Sequence, residues 1–289
     1  MAAQSRHDRG ILRRFLRDAL SNRMDNVRRK RRQALHARSS DTRAPAALIF
    51  GVGASPGIGA ALAQRAAQEG MVVYAAGRNP QKLEACVDEI RAAGHQAVAL
   101  TVDVTQPKAI QAAFESVVRD GHRLDLVIHN VGTNRPTPFL EISPDGLEQR
   151  WKADCRSGFL VAQQAVACML EYPERDQGRG TILFTGASAS LRGKAGFAAF
   201  AQAKAGLRML SQALAREFGP QGIHVAHVIV DGAVDGHRLR EHLSDAINAK
   251  GEDGCLNPQS IAETYWALHQ QHRSVWTQEL DLRPFKEAW

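Results

Sequence analysis

The amino-acid sequence predicts one α/β domain, a doubly wound parallel sheet with helices on both faces. Three observations predict it. From residue 46 onward, short apolar runs alternate with stretches of helical spacing. The apolar runs are continuous rather than alternating, as strands buried on both faces require. A glycine-rich turn separates the first run from the first helical stretch. Residues 46–52 (AALIFGV) read as the first strand and 57–70, rich in alanine, as the first helix. Residues 71–76 form the second strand, and 80–93 the helix that Pro80 opens at N1, where a missing N–H costs nothing. The third strand spans 96–102, with a helix after Pro107, and the fourth spans 124–129. Ser143-Pro144 start a long helix, since serine caps and proline follows. A fifth strand at 181–185 precedes a long helix at 196–218, and a sixth strand spans 223–230. A late helix covers 258–271, and 279–282 adds a short edge strand that Pro284 ends. No internal repeat and no second folded domain is visible.

Composition narrows the function classes. The 289 residues are 44% hydrophobic and 23% charged, ordinary for a globular protein. No apolar run approaches the roughly 18 residues of a membrane span. The four cysteines form no C-x-x-C pair and have no zinc spacing, so buried thiols in a reduced, cytoplasmic setting are expected and no metal site is. His224, His227 and His237, on or after the sixth strand, read as structural histidines rather than ligands. The net charge of +7 is unevenly placed. Residues 1–44 hold 13 Lys+Arg and 4 Asp+Glu, leaving 24 and 26 for the rest. The basic character therefore belongs to an N-terminal extension (1–44), and the folded part (45–289) gives no reason to bind nucleic acid. The extension reads as a solvated tail, disordered or partly helical. Contact with anionic surfaces and organelle targeting stay open, with Asp8, Asp18 and Asp25 arguing against a transit peptide.

The first strand ends in Gly51-Val52-Gly53-Ala54-Ser55-Pro56-Gly57-Ile58-Gly59. A turn of small residues lets the backbone approach a diphosphate, and the helix behind it offers free N–H groups and a positive dipole end. The spacing G-x-x-x-G-x-G, at Gly53, Gly57 and Gly59, places Ser55 and Ile58 in the same cradle. This is a Rossmann-type dinucleotide site. An acid at the end of the second strand would mark NAD; the sequence there is Gly77-Arg78-Asn79. Arg78 suits a 2′-phosphate, so NADP(H) is expected ahead of NAD(H).

With these motifs, and with Asp103-Val104 after the third strand and His129-Asn130-Val131-Gly132 after the fourth, the sequence resembles the short-chain dehydrogenase/reductase family from about residue 46 to 284. The resemblance implies that Asp103 contacts the adenine amine. It implies that Asn130 and Gly132 support the cofactor ribose and the central sheet, and that Lys204 holds the nicotinamide ribose. It also implies a small-molecule substrate and a homo-dimer or homo-tetramer built on the helices around 145–170 and 197–218. The variable substrate lid falls at 237–255, with Phe139, Leu140 and Phe197 as further pocket candidates.

The catalytic set departs from the family. The Tyr-x-x-x-Lys stretch reads Phe200-Ala201-Gln202-Ala203-Lys204, so the lysine is present and the tyrosine absent. None of the three tyrosines, Tyr74, Tyr172 and Tyr265, precedes a lysine by four. The serine position holds Ala187, with Ser188 one residue away; the asparagine position holds Asp154; the Pro-Gly after the sixth strand reads Asp231-Gly232. Reduction of a carbonyl needs a proton, and a positioned acid contributes roughly 10² to 10⁴ in rate. Candidates are a water held by Lys204, Ser188, or Asp154. Three readings stay open: an oxidoreductase with a non-standard proton donor, an NADP(H)-binding sensor or subunit without catalysis, and a lyase or isomerase on the same fold.

Overall fold

The computed structural model describes residues 41–132 and 134–287. The basic run 28–32 lies outside the described residues, as does nearly all of the extension. Residues 43–172 and 177–289 form one compact unit. Its centre is a seven-stranded sheet: β1 (Pro45–Phe50), β2 (Val72–Gly77), β3 (Ala97–Thr101), β4 (Arg123–His129), β5 (Gly180–Ala187), β6 (Ile223–Val230) and β7 (Glu279–Leu282). Every neighbouring pair is parallel, in the order β3-β2-β1-β4-β5-β6-β7. The chain winds outward from β1 to β3, then crosses back to β4 and winds the other way. The switch point lies between β1 and β4, where sheets wound in this way open a crevice at their carboxyl ends.

Successive residues of β1 feed opposite layers. Ala47 and Ile49 pack with α1 (Ile58–Gln68), α2 (Pro80–Ala92) and α8 (Pro258–His269). Ala46, Leu48 and Phe50 pack with α3 (Pro107–Arg119), α5 (Ser157–Leu170) and α6 (Ala198–Phe218). This period of two, with both faces apolar, is why the strands read as unbroken hydrophobic runs.

Two elements differ from the sequence expectation. The helix after Ser143 is not continuous: α4 (Pro144–Trp151) passes through a π-helical turn, Lys152–Arg156, before α5 begins. The Ser157 hydroxyl donates to the Ala153 carbonyl and accepts from His129 Nε2 at 2.8 Å, tying the wide turn to the end of β4. The segment after β6, read as a charged lid, forms α7 (His237–Lys250), broken at Leu243 by non-helical backbone. Of the four cysteines, Cys86 is buried and the other three are half-buried. Among the described residues, no helix is long and apolar enough to cross a membrane, and no group of three His, Cys, Asp or Glu is arranged to hold a metal ion.

His129 is wholly buried, and burial pushes its imidazole down to about 3. The unfolded chain then binds a proton, near pH 6.5 and below, that the folded chain refuses. Stability conferred by this group is complete above pH 6.5 and is lost as pH falls toward 3. Replacing His129 by Asn should flatten the acid limb. Between pH 6 and 5, the unfolding free energy of the wild type should fall by about 1 kcal/mol more than that of His129→Asn, measured by urea denaturation. Parallel limbs would show that His129 is protonated in the fold.

Candidate functional site

The turn after β1 is built by contact as much as by conformation. Gly51 has φ +89°, and a β-carbon there would lie 2.3 Å from the Asn130 carbonyl oxygen. Asn130 returns the contact by donating from Nδ2 to the Gly51 carbonyl at 3.2 Å, while its amide donates to Phe50 O. The two loops that flank the switch point are thereby fastened together. Gly59 sits where a β-carbon would meet Gly51 O at 2.4 Å, so α1 can start hard against the turn. Gly53, by contrast, has open space in the direction of a side chain.

Helix α1 begins after Gly57 with no side-chain cap. Helices α2, α4 and α8 are capped by Asn79, Ser143 and Asn257, while α1 shares its open start with α3, α6 and α7. The first amides of α1, from Ile58 and Gly59, therefore keep hydrogen-bonding capacity for an anion, and the helix dipole favours one there. Ser55 is half-buried in the same turn. These features fit a dinucleotide diphosphate.

The ends of the neighbouring strands carry the other residues the sequence reading assigned to a nucleotide. Arg78 is exposed immediately beyond β2. Asp103 is exposed after β3; its Oδ1 accepts from the Thr105 amide (2.9 Å) and hydroxyl (2.8 Å), leaving Oδ2 to accept from a ligand. Val104 beside it is buried. Gly77 was not singled out in the sequence, yet a β-carbon there would lie 2.2 Å from Val52 O. That close approach crosses from one strand to the next loop, so nothing local in the sequence marks it.

Lys204 projects from α6 toward the end of β4 and is 3% exposed. Its Nζ donates to Val131 O at 2.9 Å and Thr185 O at 2.8 Å. A β-carbon on Gly132 would sit 2.8 Å from Nζ, so glycine is what admits the ammonium. Burial lowers the lysine to about 8, while the charge of Asp154 and then Cys155 oppose the shift. Asp154 is 2% exposed in the π-helical turn, with Arg150 at 3.6 Å. Phe200, one helical turn before the lysine, is 6% exposed, with the ammonium 5.9 Å from its ring centre. Lys204, Gly132, Asp154 and Phe200 are thus brought together, and Phe200 adds no proton donor to the group.

The serine candidate lies at the edge of this cluster. Ser188 is half-buried at the start of a 3₁₀ turn, Ser188–Ser190. It is Ser190 rather than Ser188 whose Oγ accepts from the Ala187 amide, at 3.2 Å. Ser190 also meets His227 Nε2 at 3.4 Å; His227 Nδ1 lies 3.0 Å from Glu279, and Arg208 grips that carboxylate with two bonds of 2.7 Å. Burial pushes His227 down to about 4, so the ring is neutral and donates from Nδ1. This chain of polar groups escaped the sequence reading because its members lie in the turn after β5 and on α6, β6 and β7. Of the pocket candidates, Phe139 (74%) and Leu140 (96%) are exposed on the loop after β4, and Phe197 is half-buried.

Comparison with known proteins follows the same outline. A family model described as short chain dehydrogenase matches residues 47–246. Over 181 residues the chain is 33% identical to the Short-chain reductase protein NovJ of Streptomyces niveus, covering 60% of this chain and 64% of NovJ. It is 31% identical over 223 residues to Hydroxynaphthalene reductase arp2 of Aspergillus fumigatus, covering 77% and 76% of the two chains. Among solved structures, a short-chain dehydrogenase from Rhodopseudomonas palustris superposes with a TM-score of 0.69 at 36% identity, covering 83% of this chain and 99% of that one. A parallel sheet wound in this order, matched by the family model across its first six strands, makes the chain a member of the short-chain dehydrogenase/reductase family.

Proposed function

We propose that the protein is an NADP(H)-dependent oxidoreductase. It acts on a small carbonyl or alcohol, or on a conjugated substrate, and handles the proton with Lys204 instead of a tyrosine. The observation that carries this reading is the buried Lys204 ammonium, intact and within reach of the switch-point crevice, beneath a phenyl ring where a phenol is expected.

A bound nicotinamide supplies or accepts a hydride. The chain's own residues do the rest. The uncapped amides of Ile58 and Gly59 and the turn around Gly53, Ser55 and Gly57 receive the diphosphate. Arg78 receives the 2′-phosphate, favouring NADP(H) over NAD(H), and Asp103 Oδ2 accepts from the adenine amine. Asn130 and Gly132 hold the wall behind the ribose. Two of the three Lys204 protons are engaged by carbonyls, and the third is left for transfer through a water or the Ser188 hydroxyl to the substrate oxygen. Asp154, in the turn opposite, favours the charged lysine, so the neutral amine left by donation takes up a proton from solvent between turnovers. The exposed Trp151, Phe159 and Met209 on α4, α5 and α6 support pairing of two copies through these helices. Residues 45–289 form the catalytic domain in this reading, with 1–44 as an appended basic segment.

A second reading, nucleotide binding without turnover, is favoured by Phe200 alone, because the ring cannot donate a proton. NADPH consumption by the wild type with a panel of carbonyl compounds decides between them, and replacing Phe200 tests whether the proton donor is the missing part. Phe200→Tyr should raise carbonyl reduction by about 10² or more, followed as NADPH consumption. An unchanged rate in a folded, NADPH-binding variant would show that Ala187 or Asp154 blocks the chemistry.

The lysine reading also fixes a pH dependence. Because Lys204 must carry its proton to donate it, reduction by the wild type should decline above pH about 8. A rate that stays level well past that point would remove Lys204 from the proton path. Cofactor choice is tested separately: in Arg78→Ala the preference for NADPH over NADH should fall by about tenfold in equilibrium titrations. An unaltered ratio would place the 2′-phosphate elsewhere.

A further inference from the structure

The carboxyl edge of the sheet beside Lys204 carries cations that the proposed reaction leaves unused. Arg192 lies in the loop between β5 and α6, and its amide donates to Ser188 O at 3.1 Å. Asp231 follows Val230, the register partner of Ala187, so Asp231 stands level with Ser188 on the next strand. The Asp231 carboxylate is buried and has a close partner in Arg283 at 2.7 Å. Arg192 reaches the same oxygen with one nitrogen at 3.4 Å, and its side chain stays 53% exposed.

That geometry is not a committed ion pair. An arginine bound to a carboxylate for its own sake presents two nitrogens at short range, as Arg208 does to Glu279 in this same fold. Arg192 is steered by Asp231 while most of its donor fork remains available. The surrounding loop reinforces the charge. Segment 187–197 contains Arg192 and Lys194 and no carboxylate, and Lys194 is exposed. The loop after β4 brings exposed Arg135 alongside, since the Thr137 amide two residues on donates to Gly196 O at 2.8 Å.

We infer that the substrate carries an anionic group, a carboxylate or a phosphate set apart from the reacting carbonyl, and that Arg192 receives it. Asp231 acts as a positioning residue, turning the guanidinium along the sheet edge toward the space above Ser188. Lys194 and Arg135 raise the local concentration of anions without fixing their geometry. This inference rests on the oxidoreductase reading and adds to it the class of substrate.

Three aldehydes that differ only in the para group test it: 4-carboxybenzaldehyde, 4-formylphenyl phosphate and methyl 4-formylbenzoate. Binding of each to the full-length protein saturated with NADP⁺ is measured by calorimetry, and turnover by NADPH oxidation. At least one anionic aldehyde should bind about tenfold more tightly than the ester. Whether carboxylate or phosphate leads tells which anion the site prefers. The preference should shrink about tenfold in Arg192→Ala, reverse in Arg192→Glu, and narrow as salt approaches about 0.5 M. Equal affinities, no binding of any aldehyde, or a preference unchanged in both variants would overturn the assignment. If NADP⁺ itself fails to bind, which the same titration reveals before any aldehyde is added, the oxidoreductase reading falls and this one with it.

Discussion

A buried ammonium governs the architecture around the crevice. Taking a lysine out of water costs several kcal/mol, and the cost is tolerable only where acceptors are already in place. Lys204 finds them in two backbone carbonyls, Val131 O beyond β4 and Thr185 O within β5. Each imposes a condition. The ends of β4 and β5 must present those carbonyls toward α6; residue 132 must lack a side chain; a negative charge must stand nearby. The π-helical turn meets the last condition by carrying Asp154 into the interior, where an uninterrupted α-helix would have set a different face inward. His129 and Ser157 then hold that turn from behind. One cation thus fixes where α6, the fourth strand and the widened helix sit relative to one another.

The parts of this arrangement that were legible in the sequence are those with a local cause. Strands buried on both faces must be apolar throughout, so the sheet could be read from its runs. The turn at 51–59 could be read because small residues between a strand and a helix have few other uses. Lys204 could be read because it keeps its spacing on a helix whose register the apolar residues define. Other features have causes that lie far along the chain. Gly77 is glycine because of Val52 O, a contact made only once β1 and β2 are paired. The π-helical turn depends on His129, over twenty residues earlier, and nothing in Lys152-Ala153-Asp154-Cys155-Arg156 announces it. Helix α7 was missed for a different reason. Leu239, Leu243 and Ile247 do recur at helical spacing there, but none of its described residues is buried and the charges between them read as a solvated lid.

The positions where the sequence reading expects a serine and a tyrosine, Ala187 and Phe200, each neighbour a polar group of the site. The hydroxyl missing at Ala187 is met from below, where Ser190 takes up the Ala187 amide and leans on the His227–Glu279–Arg208 chain. A β-carbon on Gly186 would lie 2.2 Å from His227 Nε2, so this residue too is small to admit the chain. The turn is fixed by groups that face the helix layer rather than by one that faces the crevice. Polar groups stand on the buried side of this turn, while on α6 the apolar ring of Phe200 lies over the lysine.

These exchanges bear directly on which acid can serve the site. A phenol that gives up its proton leaves an anion, and that anion needs the adjacent ammonium to stabilise it; the two residues work as a pair. A lysine that gives up its own proton leaves a neutral amine. Burial, which lowers Lys204 to about 8, favours that neutral form, so donation relieves the desolvation cost rather than adding to it. An acid with a pKa near the working pH is also the kind that transfers protons efficiently. The Phe200 ring sets an apolar surface beside the amine, which sustains the burial behind that shift. A buried lysine without a phenol beside it is therefore chemically self-consistent as a proton donor: Lys204 has the environment that such an acid needs.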